Sequence, residues 1–461
     1  MERPSVFMSR RLSAIDATLL DLERPHTPTH LGAIAIVDGR LSPERLVRRV
    51  ENRLWRLGNL GRALSSVPFA LARPGFEEVP RFDSRDHIHA WALPCPGGEA
   101  ELLDACVRIF SGALDRARPL FEIHVFEGLD GERGAVVCKV HHAVAHTAAG
   151  GALLEGLLDS TPESPDDLAL PERHRRPRRA ITRLADALAE GAVRGLGDAG
   201  RAISLATRPH AGGIALRRLR ATTEALLGMA SDPAPVLPWN APLGWRRRLA
   251  LTSLPLESAE RIAAEHDCSV SEVVLCALAG ALHRHLQSSG QPPLRTDARV
   301  LVSIGVRDVD SAGAERRASA VVIPIPIDLA DETLRLAAVR RAVHDLEARG
   351  AMAAGAALFA IADRLPPALA RAFARGLRAE RIANLVGAIV EGPAESRFLC
   401  GRRLLSVHPF VPLIDGVGLG FAAYAYAGTL FIGLNADADL VPDLDKLRLA
   451  LEQSFAELMR I

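Results

Sequence analysis

Lysine is almost missing from this 461-residue chain: among 56 basic residues only Lys139 and Lys446 are lysines. Neither sits in a G-K-[ST] loop, which excludes phosphoryl transfer through a phosphate-cradling loop of that type. The six cysteines (Cys95, Cys106, Cys138, Cys268, Cys276, Cys400) are scattered, with no C-x-x-C pair. That excludes a zinc ribbon, argues against a disulfide framework, and makes a reduced, cytoplasmic setting the expectation. Excess charge is lacking as well. With 55 acidic residues the balance is +1, so nothing in the electrostatics calls for a nucleic-acid partner. The opening stretch, MERPSVFMSRRLSAID, has no apolar h-region, so no secretion signal is expected. No G-x-S-x-G occurs, which weighs against a serine nucleophile on a strand–helix elbow. GLGDAG at 195–200 matches G-x-G-x-x-G, but it lies in an Arg/Ala helical stretch rather than after a strand, where pyrophosphate binding needs it.

Apolar residues make up 48% and charged residues 24%, the balance of an ordinary globular protein, and the length suggests two or three domains. One stretch invites a membrane reading. From 416 to 434, GVGLGFAAYAYAGTLFIGL carries no charge, but it is glycine-rich and broken by YAG. Two buried strands joined by a turn at Ala427-Gly428 describe it better than a span.

The organisation is read in three parts. Residues 1–160 mix strands at 30–39 and a hairpin at 121–142 with helices at 42–57 and 97–114. The first of these helices opens with Ser42 as cap, Pro43 and then Glu44. Residues 161–239 begin rich in Pro, Ser and charge, which reads as a linker. Basic amphipathic helices are expected after it, at 180–208 and 214–230, either lying on a membrane or lipid-droplet surface or covering a neighbouring domain. Residues 240–461 repeat the strand–helix character: a long buried helix starting near Ser269 or Ser271, strands at 298–306 and 319–329, helices at 331–349, 364–380 and 443–460. Two halves of similar content give the expected fold class, a bilobal α/β (α+β) protein with a site between the lobes.

Chemistry concentrates in VCKVHHAVAHTAAGG, 137–151, where His141 and His142 end an apolar run and His146 follows. A metal site is one reading, since His142 and His146 stand at i, i+4. It lacks an evident third ligand and any glutamate between the two histidines, and a strand ending at His142 would spoil the helical spacing, so no metal is expected. A hydrogen-bonded histidine at a strand end is the plain alternative. A general base is the third: neutral imidazole can take a proton from an alcohol near neutral pH.

The stretch SGALDRARPLFEIHVFEGLDGERGAVVCKVHH resembles the approach to the HHxxxDG motif of the bacterial wax ester synthase/acyl-CoA:diacylglycerol acyltransferase family. Blocks at 9–39, 240–282 and 391–447 are similar to its other conserved regions, in the same order. The resemblance implies two chloramphenicol-acetyltransferase-like lobes with a channel between them. It also implies an acyl-CoA donor, a hydroxyl-bearing lipid or small-molecule acceptor, and no cofactor. By position His142 is the family's base and His141 its supporting partner. Asp115, Arg116, Arg118 and Pro119 match the DRxRP lead-in, with Phe121 in place of tryptophan, and Asp415-Gly416 match a pair near the channel.

Departures are equally specific. His146-Thr147 replace the motif's Asp-Gly, and Thr147 can cap the following helix instead. Ser271-Glu272 stand for Asn-Asp, with a helix cap and first-turn acid as the plain reading. Ile389 and Gly420 occupy places where the family has asparagine, and a turn role for Asp415 is an equal alternative. An O-acyltransferase with His142 as base is the leading expectation. A catalytically impaired acyl-CoA- or lipid-binding homologue and a carrier-protein-dependent condensation enzyme are the alternatives. No oxyanion donor is legible.

Overall fold

The computed structural model describes residues 11–54, 57, 59–65, 72–79, 82–145, 151–163, 233–290, 296–307, 316–348 and 378–461. The helices expected at 180–208 and 214–230, the GLGDAG stretch and nearly all of 364–380 lie outside these residues, as do His146 and Thr147.

In the first half, helix α1 (Ala14–Leu22) starts where the Ser13 hydroxyl accepts the Asp16 N–H. Strand β1 (His30–Val37) is buried along its whole length. Its alternate residues face two apolar clusters: Ala33, Ala35 and Val37 enter one, Ile34 and Ile36 the other. A strand covered on both faces reads as a continuous apolar run, and HLGAIAIV does. Helix α2 (Pro43–Arg53) has the Ser42 cap and leading proline that its sequence announces. A small pair follows, β2 (Arg62–Ser65) with β3 (Gly75–Glu78). Then come β4 (Ile88–Ala92), α3 (Glu99–Ser111), the hairpin β5 (Phe121–Leu129) and β6 (Arg133–His141), and the short α4 (Gly151–Leu157).

The second half contains β7 (Arg247–Pro255), α5 (Leu256–Glu265), the long α6 (Val270–Ser288), β8 (Asp297–Arg307), β9 (Arg316–Pro326) and α7 (Glu332–Ala348). It continues with β10 (Leu385–Glu391), β11 (Phe398–Leu399), β12 (Arg402–Phe410), β13 (Leu419–Tyr426), β14 (Thr429–Asp437) and α8 (Leu444–Leu458). The uncharged 416–434 stretch is a hairpin: β13 and β14 pair from Leu419↔Ala436 to Tyr426↔Thr429. Its two-residue turn is Ala427 (φ 46°) and Gly428 (φ 80°), the left-handed pair that a tight hairpin needs. Among the described residues no helix is long and apolar enough to cross a membrane.

Two six-stranded sheets result, ordered β11-β12-β1-β6-β5-β4 and β7-β14-β13-β10-β8-β9. They do not divide the chain at one point. Residues 398–410, inside the expected 240–461 lobe, form β11 and β12 and complete the first sheet, with β12 antiparallel to β1 from Gly32↔Phe410 to Val37↔Leu404. This exchange ties the halves together and brings β12 against β14. There a Cβ on Gly433 would stand 2.1 Å from the Pro409 carbonyl oxygen, so only glycine fits. Beside it His408 Nδ1 lies 3.3 Å from the Ile432 carbonyl oxygen. The seam between the sheets is closed by backbone at β12–β14, and His30 and His141 end paired strands at one end of it.

Candidate active site

The register of β1 and β6 sets His30 opposite His141. His141 is buried, and both its nitrogens are engaged. Nδ1 accepts the Ala143 N–H at 3.0 Å, which leaves the proton on Nε2. Nε2 faces Thr29 Oγ1 at 3.1 Å and Glu23 Oε2 at 3.5 Å. Glu23, at the end of α1, also accepts from Arg116 Nη2 at 2.6 Å and from the Thr29 N–H at 3.1 Å. Burial alone would raise the Glu23 carboxyl, but its bonds to His141 and Arg116 outweigh that and hold it at about 2. His30 Nε2 lies 3.4 Å from Glu23 Oε1. Burial, helped by the Lys139 ammonium, pushes His30 down to about 3, against the pull of Glu23, so its ring is neutral. Neither ring nitrogen of His30 has a hydrogen-bond partner among the described residues.

His142 is placed differently. It opens the short helical turn His142–Val144, and its N–H donates to the Thr29 carbonyl at 2.9 Å. The backbone is thereby fixed while the side chain stays one-third exposed, at 34%. Its Nδ1 is buried, makes no hydrogen bond to a described residue, and lies 3.6 Å from Asp16 Oδ1. Nε2 has no partner among the described residues. The strand-end histidine with both nitrogens tied up is therefore His141, and His142 is the one whose nitrogens have no hydrogen-bond partner among the described residues.

A cavity of about 40 Å³ opens in the seam, lined by His30, Phe110, Arg247, Phe410, Leu413 and Asn435 among others. Arg247 is held there by the buried Asp437 at 3.2 Å and by the His26 carbonyl. Asn435 donates through Nδ2 to the Val411 carbonyl at 2.7 Å, while its Oδ1 is buried and unpartnered among the described residues. Gly420, directly across the ladder, leaves the space for that amide: a Cβ there would come within 2.6 Å of Oδ1. The asparagine expected on β13 is missing, and one on the neighbouring strand fills the same region.

The remaining candidates divide. From the lead-in, Arg116 reaches the Leu20 carbonyl and Glu23, whereas Arg118 pairs with Asp86 and Asp115 at the surface. Asp415 accepts from Arg24 Nη1 at 3.0 Å and from the Leu243 N–H at 3.3 Å, with Gly416 at φ 87° completing the turn, so it links α1's exit to the second half. Ser271 is not the cap of α6: Ser269 is. Glu272 closes a capping box with Ser269, its Oε2 accepting the Ser269 N–H at 2.6 Å, so this carboxylate is committed to the helix start. Ile389 sits within β10, paired to Ala423. Asp16, Glu23, Thr29 and His30 are the additions that motif reading missed. All lie in the similar N-terminal block: the β1–β6 pairing brings Thr29 and His30 to the histidines, and α1 brings Asp16 and Glu23.

Paired lobes with a one-third-exposed histidine just past the last strand of the β5–β6 hairpin define a bilobal acyltransferase-like architecture. The same fold is seen in the wax ester synthase/diacylglycerol acyltransferase from Marinobacter aquaeolei, 21% identical over 97% of this chain and 98% of that one, with a TM-score of 0.65. It is seen again in the first condensation domain of the CDA synthetase, 17% identical over 99% and 96%, with a TM-score of 0.58. A relative in Mycobacterium tuberculosis named "Probable diacyglycerol O-acyltransferase" is 29% identical over 457 residues, covering 98% of this chain and 96% of that protein. The wax ester synthase/diacylglycerol acyltransferase catalytic domain matches residues 12–274, and that family's C-terminal domain matches 317–459. The chain belongs to this family of acyltransferases.

Proposed function

We propose that the protein is an O-acyltransferase that moves a fatty acyl group from acyl-CoA to the hydroxyl of diacylglycerol, a long-chain alcohol or a related acceptor, with His142 as general base. Nε2 of His142, without a partner among the described residues on a ring one-third exposed, carries this reading. It takes the hydroxyl proton as the acceptor oxygen attacks the thioester carbonyl carbon. The tetrahedral intermediate then collapses, the C–S bond breaks, and the departing thiolate takes the proton back from the imidazolium. No protein nucleophile and no bound cofactor is needed, because the thiol is already a good leaving group. His141 acts by shape: bonded on both sides, it holds the turn that aims its neighbour. On this reading the protein works in the cytoplasm against a membrane or lipid-droplet surface, where such acceptors reside.

Thiol release from long-chain acyl-CoA, assayed with a panel of hydroxyl acceptors, tests the proposal. Acceptor-dependent release is expected. Turnover only with a carrier-protein thioester would favour a condensation enzyme. Binding without turnover would favour an impaired homologue, a reading supported by Glu272 being spent in a helix cap and by Gly420 lacking a side chain. Vesicle flotation tests the surface contact, and failure to float would restrict the acceptors to soluble hydroxyl compounds.

A further inference from the structure

His142 has a carboxylate at its back that no sequence motif announces. Asp16 stands in the first turn of α1 with Oδ1 3.6 Å from His142 Nδ1. Its other oxygen, Oδ2, accepts the Ser13 hydroxyl at 2.6 Å, and its N–H donates to that same hydroxyl oxygen at 3.1 Å. The helix cap thus sets where the carboxylate stands. Nδ1 is the buried nitrogen of His142 and makes no hydrogen bond to any described residue. A buried N–H without an acceptor is costly, so the proton belongs on this nitrogen only if Asp16 takes it. A shift of roughly half an ångström brings the pair into hydrogen-bond range, and such contacts commonly tighten when substrate binds.

We propose that Asp16 is the positioning residue for His142: it accepts the Nδ1 proton, leaves Nε2 unprotonated toward the acceptor hydroxyl, and stabilises the imidazolium that forms when the hydroxyl proton arrives. The inference rests on His142 being the base. The transferred proton resides on Nε2 until the thiolate takes it. Other nearby groups are committed elsewhere. His141 is bonded to Ala143 and Thr29, and Glu23 is bonded to Arg116 and Thr29. Just before β1, the Thr29 carbonyl accepts the His142 backbone N–H. Asp16 is the charged group within 4.0 Å of the ring among the described residues.

The test compares the full-length protein with Asp16→Asn, Asp16→Glu, Ser13→Ala and His142→Ala, reading kcat, KM for acyl-CoA, the pH–rate profile and Tm. Asp16→Asn is expected to lower kcat by about 10- to 10⁴-fold, the span from loss of a metal-bound imidazole's outer partner to loss of a triad aspartate, with KM within about twofold. The acidic limb of its profile moves to lower pH, because the imidazolium has lost a nearby anion. Asp16→Glu recovers part of the loss. Ser13→Ala lowers Tm through the lost cap but leaves the limb in place. If Asp16→Asn merely reproduces Ser13→Ala while His142→Ala is inactive, Asp16 is a helix residue only and the inference fails alone. If His142→Ala turns over normally, the base assignment falls and takes the inference with it.

Discussion

Lowering the pH from about 7.5 to about 5 is expected to cost the folded protein ~4 kcal/mol, and the structure says where. Burial pushes His30 from 6.5 to about 3 and His408 from 6.5 to about 4, so both are neutral when folded. Above pH 6.5 neither state binds the proton and the two residues contribute nothing. Below it the unfolded chain is protonated first, so stability falls, until pH about 4 for His408 and about 3 for His30. At pH 5 each group lies ~1.5 units below its unfolded value, and at ~1.4 kcal/mol per unit each costs ~2 kcal/mol. His87, His89 and His285 are pushed the same way by burial and add to the trend. Glu23 has the depressed carboxylate pattern: its stabilisation is complete above 4.5 and is lost only between there and about 2, below this window. Urea denaturation at the two pH values, followed by circular dichroism, measures the difference. His30→Gln and His408→Asn keep a polar group in place but do not titrate, and each should narrow the gap by ~2 kcal/mol. An unchanged gap in His30→Gln would refute the claim that a neutral, buried ring lies under the site.

Other consequences can be checked by the same denaturation assay. Asp159 is the buried partner of both Arg49 and Arg53, and Asp159→Ala should cost ~3–5 kcal/mol by removing the carboxylate that neutralises the buried Arg49. Gly433→Ala drives a methyl group into the Pro409 carbonyl, which cannot move without separating β12 from β14, and should cost ~1–3 kcal/mol or more. Ser269→Ala should cost ~1 kcal/mol and Ser271→Ala less than ~0.5 kcal/mol, since only the former caps α6. Equal losses would contradict the cap assignment.

Local pattern was enough for many elements. Ser42-Pro43 starts α2, the uncharged stretch at 416–434 turns at Ala427-Gly428, and LDGERG turns the β5–β6 hairpin, because caps and left-handed turns are set by residues within a few positions. The exchange of β12 was not legible, since RRLLSVHPF carries no mark of which sheet it will join. That choice is made by pairing with β1 across a sequence separation of hundreds of residues. The site divides in the same way. His141 and His142 stand out in the motif, but Glu23, at the end of α1, and Asp16, in its first turn, meet them only through where α1 packs. The sequence leaves the start of α6 between Ser269 and Ser271 because both are reasonable caps, and only Ser269 reaches Glu272.

Acyl transfer by His142→Ala, measured beside acyl-CoA binding by the same protein, decides whether this imidazole is the base. Binding is expected within about twofold of the parent and turnover lower by about 10²- to 10⁴-fold, the span for loss of a general base. Turnover within a few-fold of the parent, with binding intact, would contradict it.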